Sequence, residues 1–332
     1  MLTAKENFLE TLKKDGRPDR LVNQYQPFVP IMNDPLQRYT RGNRVRGTTS
    51  IDKWGTEILF PEDAPGPMPH VTNENKVCPD ITRWKEYVKV PDLAANCSQG
   101  WEDALASAAA VDRSEKLVMG FMGTGVLEQC HFLMGFEDTL MNFLLEPEAM
   151  HELVDAVAEY RFQYAKLLVD NLKPDVILSH DDWGSKRSLF MQPDTWREFF
   201  KDHYKRIYGY MKDHGVIVIH HADSFCEPIV EDMVDIGIDV WQGVLPENDI
   251  VKLQKQLDGR MTLMGGIDAT IDRKDSTEEE IRADVRRACS TYGPGGHYIP
   301  CMTYGLAGTI YPKTDEVIAD EIDRYNKETY GV

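Results

Sequence analysis

From residue 116 onward, short apolar runs alternate with longer stretches in which apolar residues recur at helical spacing. Residues 116–123 (KLVMGFMG) form an unbroken apolar run, as expected of a strand buried on both faces. Further runs lie at 176–179, 216–219, 240–243, 261–264 and 298–299, and two earlier ones at 28–31 and 57–60. Helical spacing marks 126–171, with a break near Glu146-Pro147 where Pro147 suits a helix start, and then 195–214, 227–236, 249–257 and 277–292. Eight strands alternating with helices predict an α/β chain of parallel β/α units, closed as a (β/α)8 TIM barrel with an N-terminal extension. A doubly wound open sheet is the alternative, weakened because no G-x-G-x-x-G follows an early strand. Residues 1–332 read as one barrel domain in which 61–115 is a segment rich in loops and insertions. Within it, 61–69 (PEDAPGPMP) predicts a long loop or flap, and 71–98 shows no period.

Composition narrows the function. Lys and Arg number 37 against 55 Asp and Glu, a formal charge of −18, which disfavours a partner recognised through its phosphate backbone or an anionic membrane surface. No apolar run approaches the roughly 20 residues of a membrane span, and the charged N-terminus does not resemble a secretory signal. The six cysteines are scattered without a C-x-x-C pair, so reduced thiols and a cytoplasmic location are expected.

The chemistry gathers just after the predicted strands. Ser179-His180-Asp181-Asp182-Trp183-Gly184 follows one, His220-His221-Ala222-Asp223-Ser224 another, and Pro300-Cys301-Met302-Thr303-Tyr304-Gly305 the last. In a β/α barrel these positions converge on one mouth, where catalytic groups of that fold are held. His221 and Asp223, two residues apart, can face the same side of an extended chain, and Glu198 and Cys301 are placed to reach the mouth as well. Such donors suit zinc, although the same residues can serve as hydrogen-bonding groups of a rim, and Cys301 as a small buried hydrophobe. Asp181 and Asp182 read either as an acid/base pair or as helix-capping groups. Some of the 14 methionines, Met302 among them, line an apolar pocket or fill the core. One register step decides whether His220 or His221 faces the lumen.

These motifs resemble the uroporphyrinogen decarboxylase superfamily over most of the chain. The resemblance rests on Glu6-Asn7-Phe8 with Pro18-Asp19-Arg20, on Gly123 through Gly135, and on 143–150 (FLLEPEAM). It continues in Asp181-Asp182-Trp183-Gly184-Ser185, in Trp241-Gln242-Gly243-Val244 with Pro246, and in Gly265-Gly266-Ile267-Asp268. The decarboxylase branch carries an N-terminal Arg-rich signature, whereas the corresponding 25–33 (YQPFVPIMN) has no Arg; Arg41, Arg44 and Arg46 follow nearby. The other branch holds corrinoid-dependent methyltransferases. Its thiol-methylating members hold zinc with a Glu, a His-x-Cys pair and a late Cys, which fall here on Glu198, His221, Asp223 and Cys301. Asp223 in place of a thiolate makes a harder site, suited to an ether oxygen rather than a thiol. The resemblance thus implies a methyltransferase that cleaves an aryl methyl ether, with Zn2+ as cofactor. The methyl group passes to the Co(I) cobalamin of a separate corrinoid protein, since no D-x-H-x-x-G corrinoid-binding segment is present. A homodimer is open. In this reading Asp181, Asp182 and His220 act on the leaving oxygen, while Trp183, Met302 and Tyr304 pack the ring. The alternatives are decarboxylation of a porphyrinogen-like carboxylate and methylcobalamin:thiol transfer.

Overall fold

The computed structural model describes residues 1–41, 45–64 and 66–332; Arg44 and Pro65 lie outside the described residues. The strands are β1 (Phe28–Pro30), β2 (Thr48–Ile51), β3 (Glu57–Phe60), β4 (Met68–Pro69), β5 (Leu117–Met122), β6 (Val176–His180), β7 (Ile217–His221), β8 (Val240–Val244), β9 (Thr262–Ile267) and β10 (Tyr298–Met302). Seven of them form a curled parallel sheet in the order β1-β5-β6-β7-β8-β9-β10, the fold of a TIM-like barrel. Helices such as Val126–Met134, Pro147–Leu172, Asp202–Asp213 and Glu278–Tyr292 cover its outside. Pro147 opens its helix as expected, and Gly135, with φ +91°, adds a second break at the end of Val126–Met134.

The predicted eighth barrel strand requires correction. Residues 57–60 are a strand, but β3 pairs antiparallel with β2 and β4 in a separate three-stranded sheet. A tight turn explains this: Asp52 accepts hydrogen bonds from Trp54 N and Thr56 N, each at 2.9 Å, so β2 and β3 pair locally. Only Ile58 of β3 is buried, unlike the strands of the barrel. The space between β1 and β10 is bridged instead by side chains preceding β1. Gln24 Oε1 accepts from Met302 N at 3.2 Å, and Tyr25 Oη donates to Tyr304 O at 3.4 Å.

The unperiodic stretch 71–98 folds as short pieces, a 3-10 turn at Ile81–Arg83 and helices Trp84–Tyr87 and Leu93–Cys97. Their brevity leaves no room for a repeating pattern.

Alternate residues along each strand enter different cores. Met119 and Phe121 of β5, Val176 and Leu178 of β6, Ile219 of β7, Val240 of β8 and Cys301 of β10 fill the barrel interior, with Phe8 packed among them. Val118, Ile177, Val218, Trp241 and Leu263 point outward into the strand–helix layer. This period of two decides which polar residues reach the mouth.

Candidate functional site

Continuing the inward parity by two residues places His180 after Leu178, His221 after Ile219 and Gln242 after Val240. The parallel register sets His180 beside His221 and His221 beside Gln242, so the three form one row across β6, β7 and β8. The two imidazole centroids are 4.3 Å apart. Gly305 lets the loop after β10 close on this pair, because a Cβ there would lie 2.9 Å from His180 Cδ2 and 3.1 Å from His221 Cδ2.

Gln242 fixes the proton on His221. Its Nε2 donates to Met302 O at 3.2 Å and to Tyr304 O at 2.9 Å, so the amide nitrogen faces backbone carbonyls. Its Oε1 therefore accepts from His221 Nδ1 at 2.5 Å, which leaves the lone pair of the neutral ring on Nε2. Burial, then the neighbouring His180, holds His221 well below the ordinary imidazole range, which favours that neutral form.

His180 is balanced differently. Its Nδ1 lies 2.9 Å from Glu128 Oε2, in the first turn of the Val126–Met134 helix. Burial opposes charge on His180, but Glu128, followed by Asp182 and Asp223, overcomes it and lifts the imidazole to about 9. Burial likewise opposes charge on Glu128, and His180 with the Gly125 N–H outweighs it, bringing the carboxyl down to about 2. Asp182 Oδ1 accepts from Asp223 N at 3.0 Å. Burial and then the Asp223 carboxylate push Asp182 well up, while Asp223 is raised to about 6, by burial first. Donor atoms of His180, Asp182 and His221 all lie within 4.8 Å of one another, so this group is able to hold a metal ion.

These residues form one side of a cavity of about 440 Å³. The same cavity is lined by Trp54, Phe121, Phe132 and Tyr160 and by Arg41, Arg46 and Arg161. The β2–β4 sheet contributes Ile58 and Met68 to its rim. Thr124 borders it at φ 57°, a left-handed conformation rare for a β-branched residue, held between Gly123 and Gly125.

The predicted residues divide between this cavity and the wall behind it. His221, Asp182, Asp223 and Tyr304 line the cavity. Asp181 points the other way and caps the Val126–Met134 helix, accepting from Leu127 N at 3.1 Å and Glu128 N at 3.0 Å, and from Trp183 Nε1 and Tyr204 Oη. With both oxygens so engaged it is a structural anchor, the capping alternative rather than the acid. His220 faces outward by parity, stacks on Trp183 with centroids 4.0 Å apart, and meets Tyr208 Oη through Nδ1 at 2.7 Å. Burial, then the charge of His180, brings it down to about 3, so it is a neutral ring of the wall rather than a catalytic group. Trp183 is fully buried against Trp196 and Tyr204 instead of packing a ligand ring. Met302 is buried too and contributes its carbonyl to Gln242.

Two of the predicted metal ligands, Glu198 and Cys301, stand outside the His180–Asp182–His221 group. Glu198 is exposed on a π-helical turn, Arg197–Lys201, and its carboxylate meets His151 Nε2 at 3.0 Å outside the barrel. Cys301 is inward but lies among the apolar side chains of the barrel interior, where burial holds its thiol above the ordinary range. The donor that joins the group is His180, with Glu128 and Gln242 bonded to His180 and His221 behind it. The parity that leads from Leu178 to His180 was available in the sequence, whereas the helix carrying Glu128 gave no sign that it reaches β6.

Comparisons with known proteins agree with this architecture. A family model described as Uroporphyrinogen decarboxylase (URO-D) matches residues 48–325. The uroporphyrinogen decarboxylase of Chlorobium phaeobacteroides is 26% identical over 178 residues, 51% of this chain and 46% of that protein. That of Cupriavidus metallidurans is 23% identical over 317 residues, 89% of this chain and 80% of that protein. With the first of these, as with the uroporphyrinogen decarboxylase of Chlorobium limicola, the chain spans about half the length of the relative. Among solved structures, a methyltransferase from Methanosarcina mazei has a TM-score of 0.68 at 17% identity, covering 98% of this chain and 99% of that one, a likeness of fold. Among the described residues no helix is long and apolar enough to cross a membrane.

Proposed function

Because the chain belongs to the uroporphyrinogen decarboxylase family, we propose that it is a corrinoid-dependent methyltransferase that removes the methyl group of an aryl methyl ether and passes it to the Co(I) corrinoid of a separate protein. The observation that carries this reading is one cavity lined both by the His180–Asp182–His221 group and by Trp54, Phe121, Phe132 and Tyr160. The fold shared with a methyltransferase over nearly the whole chain supports it.

The donor set suits zinc, and His180, Asp182 and His221 would hold it, the ion displacing the protons that the empty site favours on His180 and Asp182; when bound, it would supply Lewis acidity toward an ether oxygen. Two nitrogens and one oxygen make a hard site, and none of the six cysteines lines the cavity, which weighs against a thiol substrate. The chain's residues do the remaining work. The aromatic lining would pack the ring, and the methoxy group would meet the His180–Asp182–His221 group. Gln242 keeps the His221 lone pair turned inward, and Glu128 holds His180. Loss of the methyl group leaves negative charge on the aryl oxygen, and Asp223, facing the same cavity, is placed to deliver a proton to it.

Decarboxylation is the second reading, favoured by the names of the relatives and by three arginines at the cavity. Two of those arginines serve the backbone: Arg161 donates to Gly123 O and Met122 O, and Arg46 to Glu62 O and Ala64 O. The test is methyl transfer from methoxyarenes to a Co(I) corrinoid protein, followed by cobalamin absorbance. Formation of methylcobalamin is expected. Carbon dioxide release from a uroporphyrinogen without corrinoid, and no methyl transfer from any methoxyarene, would replace this reading by the second.

A further inference from the structure

The turn that follows β9 carries Asp272, a carboxyl not yet given a role. It ends the short 3-10 turn Ala269–Ile271 and is only 6% exposed. Its two oxygens reach the loop after β10, accepting from Ile310 N at 2.6 Å and from Tyr311 N at 3.2 Å. A buried carboxyl is costly unless donors satisfy it, so these bonds tie that end of the loop to β9.

The other end of the loop is tied to the site. Tyr304 O accepts from Gln242 Nε2 at 2.9 Å and from Tyr25 Oη at 3.4 Å. Burial raises the Tyr304 phenol and the Asp272 carboxyl raises it further, so the Tyr304 side chain stands near Asp272 as well. Between its ends the loop borders the cavity through Gly305, Leu306 and Thr309, with Gly305 closed down on His180 and His221. Gln242, gripped by that loop, is in turn the acceptor for His221 Nδ1.

We propose that Asp272 is a positioning residue: by fixing the 304–311 loop it keeps the Tyr304 carbonyl on the Gln242 amide, and through that amide keeps the Nε2 lone pair of His221 turned into the cavity. The carboxyl follows β9 and the imidazole ends β7, two strands away in the sheet, so the link runs through the loop rather than by direct contact. Only the metal readout below rests on the proposed zinc site. A clamp that served the loop alone would leave the imidazole as it is, and the two roles part in measurement.

The experiment is nitrogen NMR of the histidine rings in the full chain near neutral pH, with the His221 signals assigned through His221→Ala, alongside zinc affinity by chelator competition. In the native protein His221 is expected as one neutral tautomer with its proton on Nδ1, and Asp272→Ala should show both tautomers. Zinc should bind that variant about three- to tenfold more weakly, less than the roughly 10–100-fold expected when a group bonded directly to a ligand is lost. In a Gln242→Leu background Asp272→Ala should add less than about a further twofold, because the link is already cut. Asp272→Asn keeps one acceptor oxygen and should fall between native and Ala, which covers the case of an Ala variant that does not fold. An unchanged His221 tautomer in both Asp272 variants, or a loss of zinc affinity that adds in full to that of Gln242→Leu, would overturn the inference. If the native protein takes up no zinc, the metal reading falls by itself and the tautomer alone decides the role of Asp272.

Discussion

The imidazole of His221 shows how few atoms decide the chemistry of the site. Its neighbour His220 has the same side chain, yet one strand step sends it into the wall against Trp183 and Tyr208. His221→Ala is therefore expected to lose a bound zinc ion, read by elemental analysis, whereas Cys301→Ala, altered in the apolar interior, should retain it. Loss of metal in the cysteine variant would return Cys301 to the ligand set. Gln242→Leu removes the acceptor that orients His221, and zinc affinity should fall by roughly 10–100-fold, measured by chelator competition. At this scale the sequence disclosed residue types and approximate places. It named His221, Asp182 and Asp223 but not His180, because an unbroken apolar run does not say which of its residues face the interior. It assigned Glu198 through a motif alignment that says nothing of which face of a helix points inward.

The turn from β5 into the Val126–Met134 helix concentrates what the elements contribute. Asp181 from β6 accepts two N–H groups of that helix, and Gly125 permits it, since a Cβ there would overlap the Asp181 carboxyl at 2.0 Å from Cγ. Asp181→Ala should lower stability by about 2–4 kcal/mol in urea unfolding, because buried donors lose their acceptor. A smaller loss accompanied by a changed methyl-transfer rate would restore its acid role. Elsewhere, Asp232 of the Val230–Asp235 helix accepts from Arg197 Nε at 3.0 Å and Lys201 Nζ at 2.6 Å. Burial opposes its charge, but these two cations outweigh it and hold the carboxyl below the ordinary 3.8. Its folded pKa is depressed, so its contribution is present above pH 3.8 and fades as pH falls through the folded value. Asp232→Asn should cost about 1–2 kcal/mol near neutrality, and the gap from the native protein should shrink in acid unfolding below that range. The barrel strands were legible because burial on both faces leaves unbroken apolar runs. Residues 57–60 showed a similar run for a different reason, a local hairpin, and a run of four residues does not carry its partner's identity.

At the scale of the whole molecule, seven strands among the described residues do the work expected of eight, and the segment before β1 joins the edges. Gln24→Ala should cost about 1 kcal/mol and speed hydrogen exchange at the Met302 amide, the donor it leaves without its acceptor. Unchanged exchange would mean that the edges hold without that bond. Closure by side chains was invisible in the sequence, since the apolar run 28–31 begins after Gln24 and nothing in Gln24 announces a bond to a residue 278 positions away. The same end of β10 also supplies the carbonyls of Met302 and Tyr304 that grip the Gln242 amide. Backbone, amide and imidazole are thereby linked like a lever and its catch: a shift of the loop after β10 as a ligand enters or leaves would release the amide, free His221 to exchange tautomers, and couple passage through the mouth to the readiness of the site.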